Sequence, residues 1–228
     1  MASLGRLSAG IIHEINNPLN YARTALYVLR QKGPELAEPS RADFLDTIAD
    51  VEDGLKRVTV IVSDLRGFTH QQGGAVGDVE VRKVIDRMLR LFAAEVEGQV
   101  KIEVEVPEDL VILAEPNRLL QVLVNLFQNS LDSTKSKRAV GHEPRIRFYT
   151  AREEGVVKVL VHDNGVGISE ANKDKIFEPF FTTKDVGSGT GLGLSICYRI
   201  MAGFGGRIAV KSEEGQYAEF SLEFPQES

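Results

Sequence analysis

Residues 157–167 read Val157-Lys158-Val159-Leu160-Val161-His162-Asp163-Asn164-Gly165-Val166-Gly167. The valines recur at the two-residue period of a strand with one buried face. A carboxylate, Asp163, then emerges at the strand end beside Gly165 and Gly167, and glycines there let a ligand approach the backbone closely. The same alternation recurs at 101–106 (Ile102, Val104, Val106), around Ile146 and Phe148, at Ile208 and Val210, and at Phe220, Leu222 and Phe224. Helical spacing falls at about 81–95, 115–132 and 191–203. Strands and helices interleaved in this way predict a two-layer α/β sandwich.

The N-terminal third has a different period. Up to about residue 70 it reads as helix, with Phe44, Ile48, Val51, Leu55, Val58, Val62 and Leu65 at steps of four and three. That heptad seam buries one stripe against partner helices. Earlier, Leu4, Leu7, Ile11, Ile15, Leu19, Ala22, Leu26 and Leu29 carry a looser rhythm, and Pro18 predicts a kink there. Gly33 to Ser40, with Pro34 and Pro39, separates the two helices. A lone helical hairpin buries little surface, so two copies are expected to pair into a four-helix bundle. The alternative is a hairpin lying on the rest of its own chain. The glycine-rich break Gln71-Gln72-Gly73-Gly74-Ala75-Val76-Gly77 is the linker candidate. The chain is therefore expected to be an α+β multidomain protein, with domains at 1–72 and 73–228.

Composition excludes several classes. Of 228 residues, 43% are hydrophobic and 26% charged, an ordinary globular mix. Twenty-seven basic against 33 acidic residues leave a net charge of −6, which argues against a nucleic-acid binder that neutralises phosphates. Cys197 is the single cysteine, so no internal disulfide or thiolate zinc site forms, and a reducing, cytoplasmic setting is expected, with the cytoplasmic part of a larger, membrane-bound protein as the alternative. No apolar run is long enough to span a bilayer, so this segment is expected to make no membrane contact.

His13 lies roughly 200° around the helix from both Ile11 and Ile15, which points it away from the apolar seam. An imidazole placed there titrates near neutrality and can act as nucleophile or base. Glu14 adjoins it, and a carboxylate near the ring can hold one nitrogen protonated and free the other. Asn17 lies one turn on, on the same face. His-Glu on a helix also begins the zinc-protease motif, which needs a second histidine four residues after the first. That position is Asn17, so the metalloprotease reading fails.

Residues 187–194 are Gly187-Ser188-Gly189-Thr190-Gly191-Leu192-Gly193-Leu194 and run into a helix, whose N-terminal amides suit phosphate. A flexible glycine linker is the alternative there, although Leu192 and Leu194 read as helix onset. Phe180-Phe181-Thr182-Thr183-Lys184 places a lysine and hydroxyls on a loop able to reach phosphates. Asn125 and Asn129 share one helix face, and their amide oxygens suit Mg²⁺. The chain contains no Gly-x-x-x-x-Gly-Lys-Ser/Thr and no Gly-x-Gly-x-x-Gly, which removes the Walker A, dinucleotide and protein-kinase loops.

Leu7 to Leu19, with His13-Glu14-Ile15-Asn16-Asn17-Pro18, resembles the H-box of sensor histidine kinases. Asn125 to Ser130 is similar to their N-box, Asp163 to Gly167 to the G1 box, Phe177 to Phe181 to the F-box, and Gly187 to Leu194 to the G2 box. All five occur in the family's order along essentially the whole chain. The Phe-Phe-Thr-Thr-Lys run most resembles the nitrogen-regulation-like branch with a short lid.

The resemblance implies a dimerisation and histidine-phosphotransfer domain, then an ATP-binding domain of the gyrase, Hsp90, histidine kinase and MutL (GHKL) type. By that carry-over His13 accepts the γ-phosphoryl group of ATP, Glu14 acts as base or ring orienter, and Asn17 positions water when a phosphorylated response regulator is dephosphorylated. Asn129 binds Mg²⁺ with support from Asn125, Asp163 receives the adenine amino group, and Gly165 and Gly167 shape that pocket. Lys184 and the loop Gly187, Gly189, Thr190, Gly191, Leu192 and Gly193 hold the phosphates. The implied partners are a second copy of the chain and a response-regulator receiver domain.

Two positions depart from the family pattern. Tyr217-Ala218 stands where many relatives have Gly-Thr, and Asp132 where some branches carry a basic residue. Two other functions remain open on the sequence: a dimeric scaffold in which ATP only biases conformation, and an ATPase or serine kinase of the same superfamily, which leaves the His13 helix unexplained.

Overall fold

In the computed structural model, residues 18–35, 40–69, 75–137, 141–153, 155–184 and 189–226 are described. They divide into two compact units, Met1–Gln71 with Thr182–Leu192, and Gln72–Phe181 with Gly193–Ser228. The H-box residues His13, Glu14 and Asn17, Gly187, and the linker core 71–74 lie outside the described residues. So does the stretch just ahead of Pro18 in which a kink is expected.

The first unit is built on a helical hairpin. Helix α1 covers 18–32, the single turn Gly33–Glu35 follows as a 3₁₀ helix, and α2 spans Ser40–Thr69. Thirty residues of α2 make a rod about 45 Å long. Gly33 is buried because the helices crowd there: a Cβ on it would lie 2.8 Å from Leu45 Cδ2. Leu26 and Ile48 are buried, and Arg30 donates to Glu52 Oε2 at 2.8 Å, tying α1 to α2. The heptad seam is only partly covered within one chain. Phe44 and Leu55 are half-buried, whereas Val51 remains 47% and Val58 38% exposed.

The second unit is a two-layer sandwich, the architecture the interleaved pattern predicts. Strand β1 (Gly77–Glu80) pairs antiparallel with β3 (Val111–Ala114) as a separate ribbon. Helix α3 (Val81–Leu91) buries Val81, Val84, Ile85 and Met88, the i, i+3, i+4, i+7 stripe of an amphipathic helix. Phe92 then interrupts the helix with φ −104° and ψ 7°, and α4 (Ala93–Val96) is a single further turn. The rest runs β2 (Lys101–Glu105), α5 (Pro116–Ser136), β4 (Arg145–Glu153), β5 (Val156–Asp163), α6 (Glu170–Lys173), α7 (Gly193–Gly203), β6 (Arg207–Glu213) and β7 (Tyr217–Pro225).

The main sheet has the order β2-β4-β5-β7-β6. Its β2–β4 pair is parallel and the others are antiparallel. Helix α5 packs on β4 and β5, α7 on β6, and α3 and α7 flank α5. Between the layers, Phe127, Phe148, Phe224, Leu123, Leu126 and Ile196 are fully buried. Phe92 meets Phe127 edge-on at 5.0 Å between ring centroids. The other sheet face is polar, with Glu103, Arg147, His162, Glu219 and Lys211 in register across five strands. There Arg147 forks onto Glu105 and lies 4.7 Å above the Tyr149 ring, while the Tyr149 hydroxyl donates to Glu219. Among the described residues no helix is long and apolar enough to cross a membrane.

Candidate nucleotide-binding site

Asp163 ends β5 and is 1% exposed, with its carboxylate turned to the helical layer. Three donors meet it at 3.0 Å: Ser130 Oγ on Oδ2, and Ser133 Oγ and the Gly165 amide on Oδ1. Burial pushes its pKa up from the ordinary carboxylate value, and these three hydrogen bonds oppose that rise. Ser130 closes the segment similar to the N-box but received no role there, and Ser133 belongs to none of the sequence patterns. Their shared signal is the i, i+3 spacing on the face of α5 that β5 turns out to cover.

The turn after Asp163 admits no side chains at its glycines. A Cβ on Gly165 would lie 2.1 Å from Ser133 Oγ and 2.5 Å from the Ser133 carbonyl carbon. Gly167 has φ +65°, and its Cβ would lie 2.1 Å from the Glu213 carbonyl oxygen. The turn is also pinned by hydrogen bonds. Val166 N donates to Ser133 Oγ at 3.1 Å, Gly215 N to Val166 O at 2.7 Å, and Ile168 N to Ser212 Oγ at 2.8 Å. Ala218 pairs with Asp163 on one side and Ser212 on the other, so the position without a hydroxyl lies beside the buried carboxylate. The Ser212 hydroxyl on the next strand is engaged elsewhere, donating to Tyr217 O at 2.6 Å.

Helix α5 connects this pocket to the start of α7. Its own start is fixed by Glu115, whose carboxylate accepts from Asn117 N at 3.0 Å and Arg118 N at 2.8 Å, with Pro116 at the first helical position. Asn125 Nδ2 donates to the carbonyl oxygen of Gly193, the first residue of α7, at 3.3 Å. Ser133, eight residues on, reaches Asp163, so the two ends lie about 12 Å apart along the helix. Asn129 sits midway on the same face and is half-buried. An amide oxygen in that place, between a helix N-terminus suited to phosphate and a buried carboxylate, fits a hard divalent cation that takes oxygen ligands. Asp132 is half-buried and accepts from Gln128 Nε2 at 3.1 Å.

Thr182–Leu192 is grouped with the first unit and is described by itself. Within it Lys184 N donates to Thr182 Oγ1, and Leu192 N to Thr190 Oγ1, each at 3.2 Å. Gly189 lies so near Thr182 and Lys184 that a Cβ would approach Thr182 Oγ1 to 3.0 Å. Of the sequence candidates, the second unit thus brings together Asn125, Asn129, Asp163, Gly165, Gly167 and Gly193.

Comparison with known proteins agrees with this geometry. The family described as histidine kinase-, DNA gyrase B-, and HSP90-like ATPase matches residues 114–228. The sensor histidine kinase ZraS of Escherichia coli K12 is 34% identical over 228 residues, which cover 99% of this chain and 46% of ZraS. The signal transduction histidine-protein kinase AtoS of the same strain is 32% identical over 99% of this chain and 35% of AtoS. The chain spans between 24% and 47% of the length of the first curated relatives it matches. Among solved structures, the catalytic domain of histidine kinase ThkA superposes with a TM-score of 0.57 at 34% identity, covering 67% of this chain and 96% of that one. ThkA in complex with the response regulator protein TrrA superposes with a TM-score of 0.67 at 28% identity over 99% of this chain and 63% of that one. The chain belongs to the family of histidine kinase-, DNA gyrase B- and HSP90-like ATPases, in its sensor-histidine-kinase, nitrogen-regulation-like branch.

Proposed function

We propose that this chain is the catalytic core of an ATP-dependent protein-histidine kinase of a two-component system. The observation that carries the proposal is the α5 ruler: Asn125 at the start of α7, Asn129 midway and the buried Asp163 at the far end. That spacing suits a nucleotide lying along the helix. Its 6-amino group donates to Asp163, and its phosphates lie toward Gly193, with Lys184 and the glycine loop 187–193 neutralising them. Mg²⁺ would be held by Asn129, supported by Asn125, and supplies charge neutralisation on the phosphates when bound.

In the proposed reaction an imidazole nitrogen of His13 attacks the γ-phosphorus, the bond from that phosphorus to the bridging oxygen breaks, and ADP leaves. Glu14 orients the ring or takes its proton. The phosphoryl group then passes to an aspartate of a receiver domain, and Asn17 positions water when that aspartyl phosphate is hydrolysed. The solved ThkA complex with a response regulator supports such a partner.

The hairpin (1–72) is proposed to form a dimeric four-helix bundle. The exposure of Val51 and Val58 on the heptad stripe that also carries half-buried Phe44 and Leu55 and buried Ile48 supports a second copy covering them. The ATP-binding domain (73–228) would then swing on the 71–77 segment to meet His13. Its need for ATP supports a place in the cytoplasm for this segment, by itself or as the cytoplasmic part of a larger, membrane-bound sensor.

The test is incubation of the full chain with ATP radiolabelled at the γ-phosphate. Acid-labile, base-stable label that disappears in His13→Gln is the expected result. Label that persists in that variant, or that resists acid, overturns the proposal.

A further inference from the structure

Asp163 is held by α5 in a directional way. The Val166 amide donates to Ser133 Oγ at 3.1 Å, so that oxygen serves as acceptor there and its hydrogen is committed to Asp163 Oδ1 at 3.0 Å. Ser130, fully buried, donates to Oδ2 at 3.0 Å. Each carboxylate oxygen therefore receives a hydroxyl hydrogen, an arrangement that only the ionised, acceptor-only form accepts in full.

We infer that Ser130 and Ser133 are positioning residues which keep the Asp163 carboxylate ionised, and so make this site prefer a 6-aminopurine nucleotide over a 6-oxopurine one. The inference rests on the proposal that the pocket takes a purine nucleotide through Asp163. An ionised carboxylate accepts from an exocyclic amine and repels a carbonyl oxygen in the same place. A neutral carboxyl can instead donate its hydrogen to that carbonyl. Burial favours the neutral carboxyl and the serine hydroxyls oppose it, as does the Gly165 amide.

Few other groups act on Asp163. His162, its neighbour on β5, also favours the ionised form. On the adjoining strands the partners in register are Ile146 and Ala218, which carry no charge. Lys137, at the end of α5, gives its ammonium to the carbonyls of Asn164 and Gln216 at 3.0 and 3.3 Å. The two hydroxyls are therefore the side-chain donors that set the carboxyl's state.

The experiment uses the full chain and the variants Ser130→Ala, Ser133→Ala, the double alanine variant, and Ser133→Thr, which keeps a hydroxyl. The Asp163 carboxyl is titrated by carbon NMR in nucleotide-free protein. Calorimetry then measures binding of ADP and inosine diphosphate, with Mg²⁺, between about pH 5 and 8. In the double variant the carboxyl midpoint moves to higher pH, ADP affinity fails at correspondingly higher pH, and the preference for ADP at neutral pH narrows by about tenfold. Each single variant moves part of the way, and Ser133→Thr keeps the wild-type midpoint and preference. An unchanged midpoint or unchanged preference in the double variant overturns the inference. Wild type that binds no ADP overturns the purine-pocket reading, while the titration in nucleotide-free protein still decides whether the serines hold the charge.

Discussion

Asn125 donates through Nδ2 to the carbonyl oxygen of Gly193 at 3.3 Å, joining the middle of α5 to the start of α7 across 68 positions. Removing it leaves a half-buried carbonyl without its side-chain donor. Asn125→Ala is expected to lower stability by about 1 kcal/mol and to weaken ATP binding with or without Mg²⁺. Asn129→Ala should leave stability within about 0.5 kcal/mol and weaken only the Mg²⁺-dependent part. Urea unfolding and ATP titrations with and without Mg²⁺ separate the two, and identical behaviour of both variants would refute these separate roles.

Gly167 is constrained twice, by φ +65° and by the Glu213 carbonyl oxygen 2.1 Å from any added Cβ. Gly167→Ala should therefore cost more than the roughly 1 kcal/mol typical of a point substitution, and should weaken nucleotide binding through the displaced turn. Denaturant midpoints check the first effect. A variant as stable as wild type would show that the turn yields freely.

Because burial raises the pKa of Asp163, the folded protein holds a proton that the unfolded chain has released at about pH 4. Over the window between those two values the native state binds more protons, so Asp163's contribution to stability falls as pH rises. Asp163→Asn lacks this contribution. The difference in unfolding free energy, wild type minus variant, should decrease with rising pH through that window, and an increase contradicts the assignment.

Tyr149 sits on the polar sheet face, its hydroxyl given to Glu219. Burial, then that hydrogen bond, push its pKa up to about 12. Spectrophotometric titration of the five tyrosines should show a last step near that value, absent in Tyr149→Phe. Stability from this group is complete below about pH 10 and is lost as pH rises through the higher folded value. A last step that survives the substitution belongs to another tyrosine.

Val51 and Val58 are exposed on a stripe in which Ile48 is buried and Phe44 and Leu55 are half-buried. Val51→Glu with Val58→Glu should shift the chain toward monomer in sedimentation equilibrium while leaving the helix content intact. Unchanged association would place the dimer contact elsewhere.

The five strands of the main sheet were legible because Val157, Val159 and Val161, or Phe220, Leu222 and Phe224, alternate long enough to show a period. Strands β1 and β3 were not, since each has four residues, too few for alternation to stand out. β1 begins at Gly77, which the sequence assigns to the linker. The helix expected at 81–95 is broken at Phe92, whose side chain packs edge-on against Phe127, a tertiary contact that spacing does not encode. At the site, Asp163 and its glycines announce themselves by composition. Ser130, Ser133 and Ser212 do not, because serine is common and their partners come from other strands and turns.

Strand β7 lies between β5 and β6 although it is the last of the three in the chain. A ribosome delivers the β4–β5 hairpin well before residues 217–225 emerge. Until then β5 shows one bare hydrogen-bonding edge, and unpaired edges of this kind invite association with other chains. Folding of the ATPase unit is thus tied to synthesis of its own last strand, and nascent chains halted before Tyr217 would be its most chaperone-dependent form.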